Sequence, residues 1–365
     1  NMRNSHFLIL ASVGLATAFS ACSSEEMNDP VPAGKDNVIR FTAASRLTQD
    51  RAAADITTSN LTQFFVYGYL ASNGEPYMSN VEVNKTSTNV WEYSPVKYWP
   101  SGDALNFYAY APEGMLPPGT TPLDEVHFTN TGKTDFIYAV SPDMTQPTTG
   151  SDAQVKFNFR HALAKVTVMM SSDDSNMDVR VNNVTIVGAN QYGDFKFPAS
   201  STAGDIESVS PESIGKWTNL SGKGITVLHM AQRQDEIITL TPTPIDIDTE
   251  GDAPKFFIPQ DLPFVEGNDF ENEVYLVITC AMYDKTTGTK VWPNANTPDV
   301  NLPNGGLSGE GYIYLSLQGT GFTAWQGGYH YVYNVVINGH PDMSQIEFGN
   351  PTVDKFVTVT TQLQP

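Results

Sequence analysis

Short stretches in which apolar and polar side chains alternate recur along the whole chain, separated by turn-forming residues. In the clearest of them, Tyr329, Tyr331, Tyr333, Val335 and Ile337 fall on one face of an extended segment. No amphipathic helical period continues beyond a turn or two, and the 24 Pro and 28 Gly are scattered through the sequence. The pattern therefore predicts an all-β sandwich architecture.

The other predicted strands show the same alternation, or a run of β-branched and aromatic residues. They cover residues 38–43, 63–70, 90–93, 104–111, 136–140, 155–159, 166–169, 179–187, 225–229, 237–241, 256–258, 274–282, 312–317 and 356–365. The pattern pauses in the segment His161-Ala162-Leu163-Ala164, which predicts a domain boundary. We expect one sandwich domain over residues 37–160 and a second over residues 161–365, since 365 residues suffice for two domains of about 100 to 200 residues each.

The charge balance limits the partners of the chain. There are 40 acidic and 20 basic side chains, a net charge of -20, and the charges are spread along the sequence without a basic patch. Nucleic acid phosphates would be repelled by such a surface, so the composition argues against a nucleic-acid partner.

The first 36 residues have the organisation of an export signal followed by a tether. Arg3 precedes an apolar run from Phe7 to Phe19, which at 13 residues is shorter than the roughly 20 that span a bilayer. Residues 1–21 are therefore predicted to be a signal peptide. The ending Phe19-Ser20-Ala21-Cys22 resembles a bacterial lipobox, in which the Cys22 thiol carries diacylglycerol and residues 22–36 form a lipidated tether. The alternative is an ordinary signal peptide with Cys22 incidental.

The second cysteine is expected to be structural. If Cys22 is lipidated, Cys280 has no partner for a disulfide within the chain. It lies on the apolar face of the predicted strand 274–282, which predicts a buried core thiol without a catalytic role.

The predicted first strand places Ile39, Phe41 and Ala43 on one face. The following segment, residues 45–55, is polar, rich in small residues and without a strand pattern, and it contains Arg46 and Arg51. Exposed loops of this kind are preferred sites of proteolysis.

Sites for metals, cofactors or catalysis are not indicated. The acidic segment from Asp246 to Asp252 imitates the start of an EF-hand loop, but Phe257 stands where a bidentate Glu is required. The histidines lack metal-ligand spacing, and there is no Gly-x-Ser-x-Gly elbow. We therefore predict no metal site, no cofactor and no enzymatic activity.

Several segments together resemble the bacterial fimbrillin family, the type V pilins that include major and minor fimbrillins. Besides the lipobox and its acidic tether they are Trp91-Glu92-Tyr93 with Tyr98-Trp99-Pro100, Leu105-Asn106-Phe107-Tyr108-Ala109-Tyr110-Ala111-Pro112, Phe159-Arg160-His161-Ala162-Leu163-Ala164-Lys165-Val166, Phe257-Ile258-Pro259-Gln260 and Trp325-Gln326-Gly327-Gly328-Tyr329-His330-Tyr331.

The resemblance implies two tandem transthyretin-like β-sandwich domains, export as an outer-membrane lipoprotein, and cleavage after an arginine by a trypsin-like protease at the cell surface. In that family, cleavage releases the first strand, and the terminal strand of a neighbouring pilin subunit fills the groove in a surface pilus that supports adhesion to a host or bacterial ligand. Mapped onto this chain, the released strand carries Ile39, Phe41 and Ala43. The cut follows Arg51, which precedes Ala52-Ala53-Ala54, in preference to Arg46. The donor strand lies within residues 354–365, with Val357, Val359 and Leu363 on one side.

Other interpretations remain open at this stage. Arg46 and Arg51 are also compatible with a solvated loop that is never cut, and residues 354–365 with the last strand of the chain's own sandwich. Val353-Asp354-Lys355-Phe356 stands where many fimbrillins have Val-x-x-Trp, which leaves stalk, tip and anchor positions open. A non-polymerising lipid-anchored adhesin or carbohydrate-binding protein, in which the Tyr329-to-Tyr333 face stacks on sugars, is the main alternative, and a β-sandwich hydrolase is the weakest.

Overall fold

The structure is a computed structural model that describes residues 38–43, 55–57, 60–87, 90–146, 154–202, 206, 208–264, 271–303, 306, 309–319, 321–338, 347–348 and 352–355. Within these residues the chain folds into strands and three short 3-10 helices, which confirms the predicted all-β class. No helix of the described part is long and apolar enough to span a membrane.

Nine strands precede residue 162. They are β1 (Phe41–Ala43), β2 (Gln63–Leu70), β3 (Pro76–Ser87), β4 (Val90–Glu92), β5 (Leu105–Ala111), β6 (Val126–Thr129), β7 (Ile137–Met144), β8 (Val155–Phe157) and β9 (Arg160–His161).

Twelve strands follow in the described residues. They are β10 (Ala164–Ser171), β11 (Met177–Lys196), β12 (Lys216–Met230), β13 (Ile238–Thr239), β14 (Ile245–Asp246), β15 (Phe256–Phe257), β16 (Tyr275–Asp284), β17 (Lys290–Trp292), β18 (Gly311–Ser316), β19 (Tyr329–Val336), β20 (Glu347–Phe348) and β21 (Thr352–Lys355). The 3-10 helices are Pro211–Ser213, Gln234–Glu236 and Asp299–Asn301.

The first half of the chain forms a six-stranded antiparallel sheet in the order β4-β3-β2-β5-β7-β9, with β1 and β8 as a separate two-stranded layer. The apolar core between the two layers includes Phe64, Phe107 and Ile137 from the sheet and Phe41 and Phe157 from the layer. The sequence did not predict β3, because only Met78 and Val83 of its twelve residues are buried, too few to show an alternation.

The second half forms two sheets around its own core. A seven-stranded sheet has the path β12-β11-β16-β17 with β6, β13 and β18 joined to it, and a six-stranded sheet has the path β14-β10-β19-β20 with β15 and β21. Their inward faces supply a core that includes Val184, Ile278, Trp325 and Tyr333, and this core also contains Cys280, as predicted. Burial raises the pKa of the Cys280 thiol, so the thiol stays protonated and inert.

The two halves are interlocked. β6 comes from the first half of the chain but pairs with the C-terminal part of β11, which runs to Lys196, well beyond the residue 187 at which the predicted strand ends. The predicted boundary between residues 160 and 161 falls within β9, and it remains a prediction.

A third apolar cluster joins the outer face of the first sheet to the β11–β12 hairpin. Phe65, Tyr110 and Tyr138 enter it from the sheet, and Phe195 and Trp217 pack against it from the hairpin. The ring centroids of Tyr138 and Phe195 are 5.0 Å apart, and the Tyr138 hydroxyl accepts a 2.7 Å hydrogen bond from the Gly215 N–H. The first sheet is thus covered on both faces, which explains why β2 and β5 are apolar almost throughout.

Gly188 allows β11 to change register against β12, and its φ of +84° lies in the left-handed region. An added Cβ would overlap the Glu273 carbonyl oxygen. We expect Gly188→Ala to lower the free energy of unfolding by about 3 kcal/mol or more, from backbone strain and the clash together. Gly251→Ala is the matched control, since Gly251 has a φ of +76° with no atom near the Cβ position, and it should cost only about 1 to 2 kcal/mol. Urea denaturation of both variants measures the difference, and equal losses would contradict the role of Glu273.

Candidate functional site

The extended segment of residues 38–43, which ends in β1, is hydrogen-bonded on both sides. On one side Phe41, Thr42 and Ala43 pair in parallel register with β8, and the Val155 N–H donates to the Arg40 carbonyl at 2.8 Å. On the other side the Ile39 N–H donates to the Lys97 carbonyl at 2.9 Å.

Val38 forms an isolated antiparallel bridge with Tyr98 on that second side. Residues 38–43 therefore fill a slot between β8 and residues 97–98, and we refer to this space as the slot. Emptying it would expose unpaired N–H and C=O groups on both walls.

Apolar side chains of residues 38–43 reach into the core of the first half. Ile39 is fully buried and Phe41 is 2% exposed. The Phe41 ring stacks on Phe157 at a centroid distance of 5.5 Å and meets Phe107 edge-on at 5.4 Å. Ala43 is half-buried at the margin of the same cluster. The structure thus brings together the three residues that the sequence placed on one face of the strand.

Tyr93 fixes the wall opposite β8. Its hydroxyl donates to the Ile39 carbonyl at 2.7 Å and accepts from the Lys97 N–H at 3.2 Å, so it links β1 to the chain that runs beside it. Burial raises the pKa of Tyr93, more than the hydrogen bond with Lys97 lowers it. The phenol therefore remains a donor at neutral pH.

Chemically, the slot has the groups that can hold an extended peptide. It offers backbone groups on both edges and apolar pockets two residues apart, which is the recognition mode of β-strand addition. The sequence predicted the strands 38–43 and 155–159 separately, but no local signal identified them as partners, because a parallel pairing between residues 114 positions apart (Phe41 with Val155) leaves no trace in either segment. The sequence also did not identify Tyr93, Lys97 and Tyr98 as neighbours of residues 38–43, because these contacts form only in the folded chain.

Other predicted site residues are outside the described part of the chain. These are Cys22, Arg46, Arg51, Val357, Val359 and Leu363. The predicted donor segment 354–365 begins inside β21, whose Asp354 and Lys355 pair with His330 and Tyr329 of β19 in the same chain.

Polar groups of the EF-hand-like segment from Asp246 to Asp252 are bonded within the fold. Asp248 of the EF-hand-like segment is held at 2.8 Å by Lys255 and accepts N–H bonds from Asp252 and Ala253. Burial acts to raise the pKa of Asp248, but Lys255 and these N–H groups outweigh it and lower the pKa. No cluster of potential metal ligands occurs in the described residues.

The tyrosine face of β19 is a core face rather than a sugar platform. Tyr331 and Tyr333 are buried, and the Tyr333 hydroxyl accepts from the Trp325 indole N–H at 2.9 Å and donates to the Leu317 carbonyl at 2.8 Å. Their rings are therefore not available to stack on a glycan.

A comparison of the sequence with family profiles identifies the family of the chain. The profile described as fimbrillin-like matches residues 50–355. The chain belongs to the fimbrillin-like family. This confirms the resemblance found in the sequence, and membership of a family of structural proteins agrees with the prediction that the chain is not an enzyme.

Solved structures similar to this fimbrillin-like chain share little sequence with it. A fimbrial protein of Bacteroides vulgatus is 14% identical, with 88% of this chain and 100% of that one covered and a TM-score of 0.51, and it supports the fold. The fimbrilin FimA of Porphyromonas gingivalis is 12% identical, with 90% and 99% covered and a TM-score of 0.46. The tip fimbrial protein Mfa3 of the same organism, truncated at its C-terminus, is 12% identical, with 87% and 98% covered and a TM-score of 0.38. No curated protein sequence matches the chain.

The packing of Phe41 in the slot can be tested by mutation. Phe41→Ala should lower the free energy of unfolding by about 3 to 5 kcal/mol, because the ring is buried among three aromatic neighbours. Thr42→Ala, whose side chain points to the opposite face of the same strand, should change it by about 0.5 kcal/mol or less. Denaturation followed by tryptophan fluorescence compares the two, and a similar loss in both would mean that β1 is not seated through Phe41.

Proposed function

We propose that this fimbrillin-like protein is a pilus subunit that polymerises by strand exchange. Proteolysis releases β1, and the terminal strand of a neighbouring subunit takes its place in the slot. The observation that carries the proposal is that residues 38–43 are hydrogen-bonded on both sides and bury Ile39 and Phe41, so the first half of the chain is complete only with a strand in the slot. Adhesion is the role of the resulting fibre at the cell surface.

Before assembly, the proposed precursor is a lipoprotein of the outer membrane. Its signal peptide would be residues 1–21, and lipid on Cys22 would hold the chain through the tether 22–36. A trypsin-like protease then cuts after Arg51, or after Arg46, in the segment that connects β1 with the rest of the chain. Such a cut removes lipid, tether and β1 together.

Competition for the slot explains why a cut is needed. While β1 is covalently attached, its effective concentration at the slot is about millimolar or higher, which a separate donor strand cannot match. Cleavage removes this advantage. The released segment 38–43 fills six positions of the slot, whereas a donor segment of ten residues spans about 33 Å and can pair along the whole slot.

The direction of the exchange determines the shape of the product. Each subunit presents one slot and one donor segment, so contacts are head-to-tail and the assembly is an open filament instead of a closed ring. Backbone hydrogen bonds give the affinity, and the alternation of Val357, Val359 and Leu363 sets the register of the donor in the slot.

Treatment of the full-length protein with a trypsin-like protease tests the proposal. We expect one large fragment that starts at Ala52, or at Leu47, and we expect this fragment to form oligomers on native gels. Arg51→Ala should shift the cut to Arg46 or abolish it, and Arg46→Ala should leave the cut at Arg51 unchanged. Arg40 should resist, since its carbonyl is bonded within the β1 ladder. A cut elsewhere, or a cut fragment that stays monomeric, would sink the proposal.

Deletion of residues 356–365 separates donation from folding. Residues 352–355 pair with β19 and are retained, so the deleted chain should fold and be cut like the full-length chain. Size-exclusion chromatography after the cut should then show monomers only, because the slot receives no donor. Deletion of residues 354–365 serves as the comparison that also removes two paired residues of β21. Oligomers formed by the chain lacking 356–365 would show that another segment fills the slot.

A further inference from the structure

Four ionisable side chains are buried together, and one of them, Asp55, lies shortly after the proposed cut at Arg51. Asp55, Asp135, His161 and Lys165 are each 5% exposed or less. We call these four residues the retention cluster. Charged groups are rarely buried to this extent unless they are paired, so the cluster fixes the elements that carry it.

The cluster connects the segment of Asp55 and Ile56 to three other parts of the fold. The Lys165 Nζ lies 2.5 Å from Asp55 Oδ2, and the His161 Nδ1 lies 3.0 Å from Asp135 Oδ1. The Ile56 N–H donates to Asp135 Oδ2 at 2.9 Å, which ties the residue after Asp55 to the second pair. Lys165 belongs to β10, His161 to β9, and Asp135 precedes β7.

The backbone around Asp55 is closed on itself. The Asn60 side chain donates to the Asp55 carbonyl at 2.7 Å and accepts from the Thr57 N–H at 2.6 Å. The Leu61 N–H donates to the Thr57 carbonyl at 2.8 Å, and Leu61 itself is buried in the core two residues before β2. These bonds tie Asp55 and Thr57 to Asn60 and Leu61, which lead into the first sheet.

Because Asp55 and Lys165 are both buried, separating the two side chains would destabilise the fold. Burial raises the pKa of Asp55, and the neighbouring Lys165 ammonium acts in the opposite direction to keep the carboxylate charged. If Asp55 left its position, the buried Lys165 ammonium would lose this counter-ion, and breaking such a pair from one side is strongly destabilising.

We infer that the retention cluster is the holding point for the processed N-terminus and sets the limit of processing. After a cut at Arg51 the new terminus lies three residues before Asp55, so the retained chain keeps every contact of Asp55 and Ile56 while β1 departs. A cut C-terminal to Asp55 would separate the carboxylate from β2 and free it to leave Lys165. The slot can thus empty without loss of the segment that leads into the first sheet. The inference rests on the proposed function for the position of the cut. The contacts of Asp55 and Ile56 within the retention cluster do not depend on the proposed function.

Amide hydrogen exchange of the full-length chain, before and after cleavage by a trypsin-like protease, tests the inference. In the wild type, the Ile56 and Leu61 amides should keep their protection after the cut. In Asp55→Asn the Ile56 amide should exchange about tenfold faster or more, in intact and in cut chains. The Leu240 amide, bonded to the Val179 carbonyl of β11 and remote in sequence from the retention cluster, reports whether the fold is intact and should not change.

Two further variants complete the design. Asp252→Asn removes the carboxylate of an exposed ion pair, in which Lys133 Nζ and Asp252 Oδ2 are 3.9 Å apart. It should leave the exchange rates of all three amides unchanged. Asn60→Ala disturbs the Asp55 backbone without burying an unpaired charge, and it should accelerate Ile56 exchange even if Asp55→Asn fails to fold.

The outcomes separate the inference from the proposed function. Loss of Ile56 protection in the cut wild type, or equal Ile56 exchange in wild type and in both Asp55→Asn and Asn60→Ala, overturns the inference. If the protease fails to cut at Arg46 or Arg51, the processing step of the proposed function fails. The intact chains still test whether the cluster holds Asp55 and Ile56.

Discussion

The pairing of residues 38–43 with both walls of the slot is the interaction on which the first half of the molecule depends. The six-stranded sheet has two apolar faces, and in the described part of the chain one of them is covered by the thin layer of β1 and β8 together with loop residues such as Trp99. Phe41 stands between Phe157 of that layer and Phe107 of the sheet, so it connects the layer to the sheet. A strand in this position is a required part of the core although it is only three residues long. In the proposed strand exchange, this is the strand that would leave.

The strands were predictable where one face or both are buried along their length. β2 and β19 were predicted at almost their observed bounds, because their apolar residues repeat at every second position or run without interruption. β3 could not be predicted, since it lies near the sheet edge, with most of its side chains exposed or half-buried. The length of β11 was underestimated because its second half leaves the core of its own sheets and packs on another aromatic cluster.

The residues of the slot were only partly predictable. Ile39, Phe41 and Ala43 were found from their alternation, a property of the strand alone. The partners of β1 and the buried charges near Asp55 depend on contacts across the fold: Asp55 and Lys165 are 110 positions apart, and each stands in a local sequence typical of an exposed residue. Pairing of buried charges is a property of the assembled core, so it can be recognised only when the elements that bring the charges together are known.

The aromatic cluster on the outer face of the first sheet has a consequence for the kinetics of assembly. In the proposed exchange, loss of β1 would expose only the opposite face to water, while Phe65, Tyr110 and Tyr138 would stay packed against the β11–β12 hairpin. The sheet would keep its twist and strand order until a donor strand binds, because one complete apolar face would still hold it. A subunit in that state would need no refolding when a partner arrives. The growth rate of a fibre would therefore follow the rate of encounter and threading, and it would rise with subunit concentration until threading alone limits it.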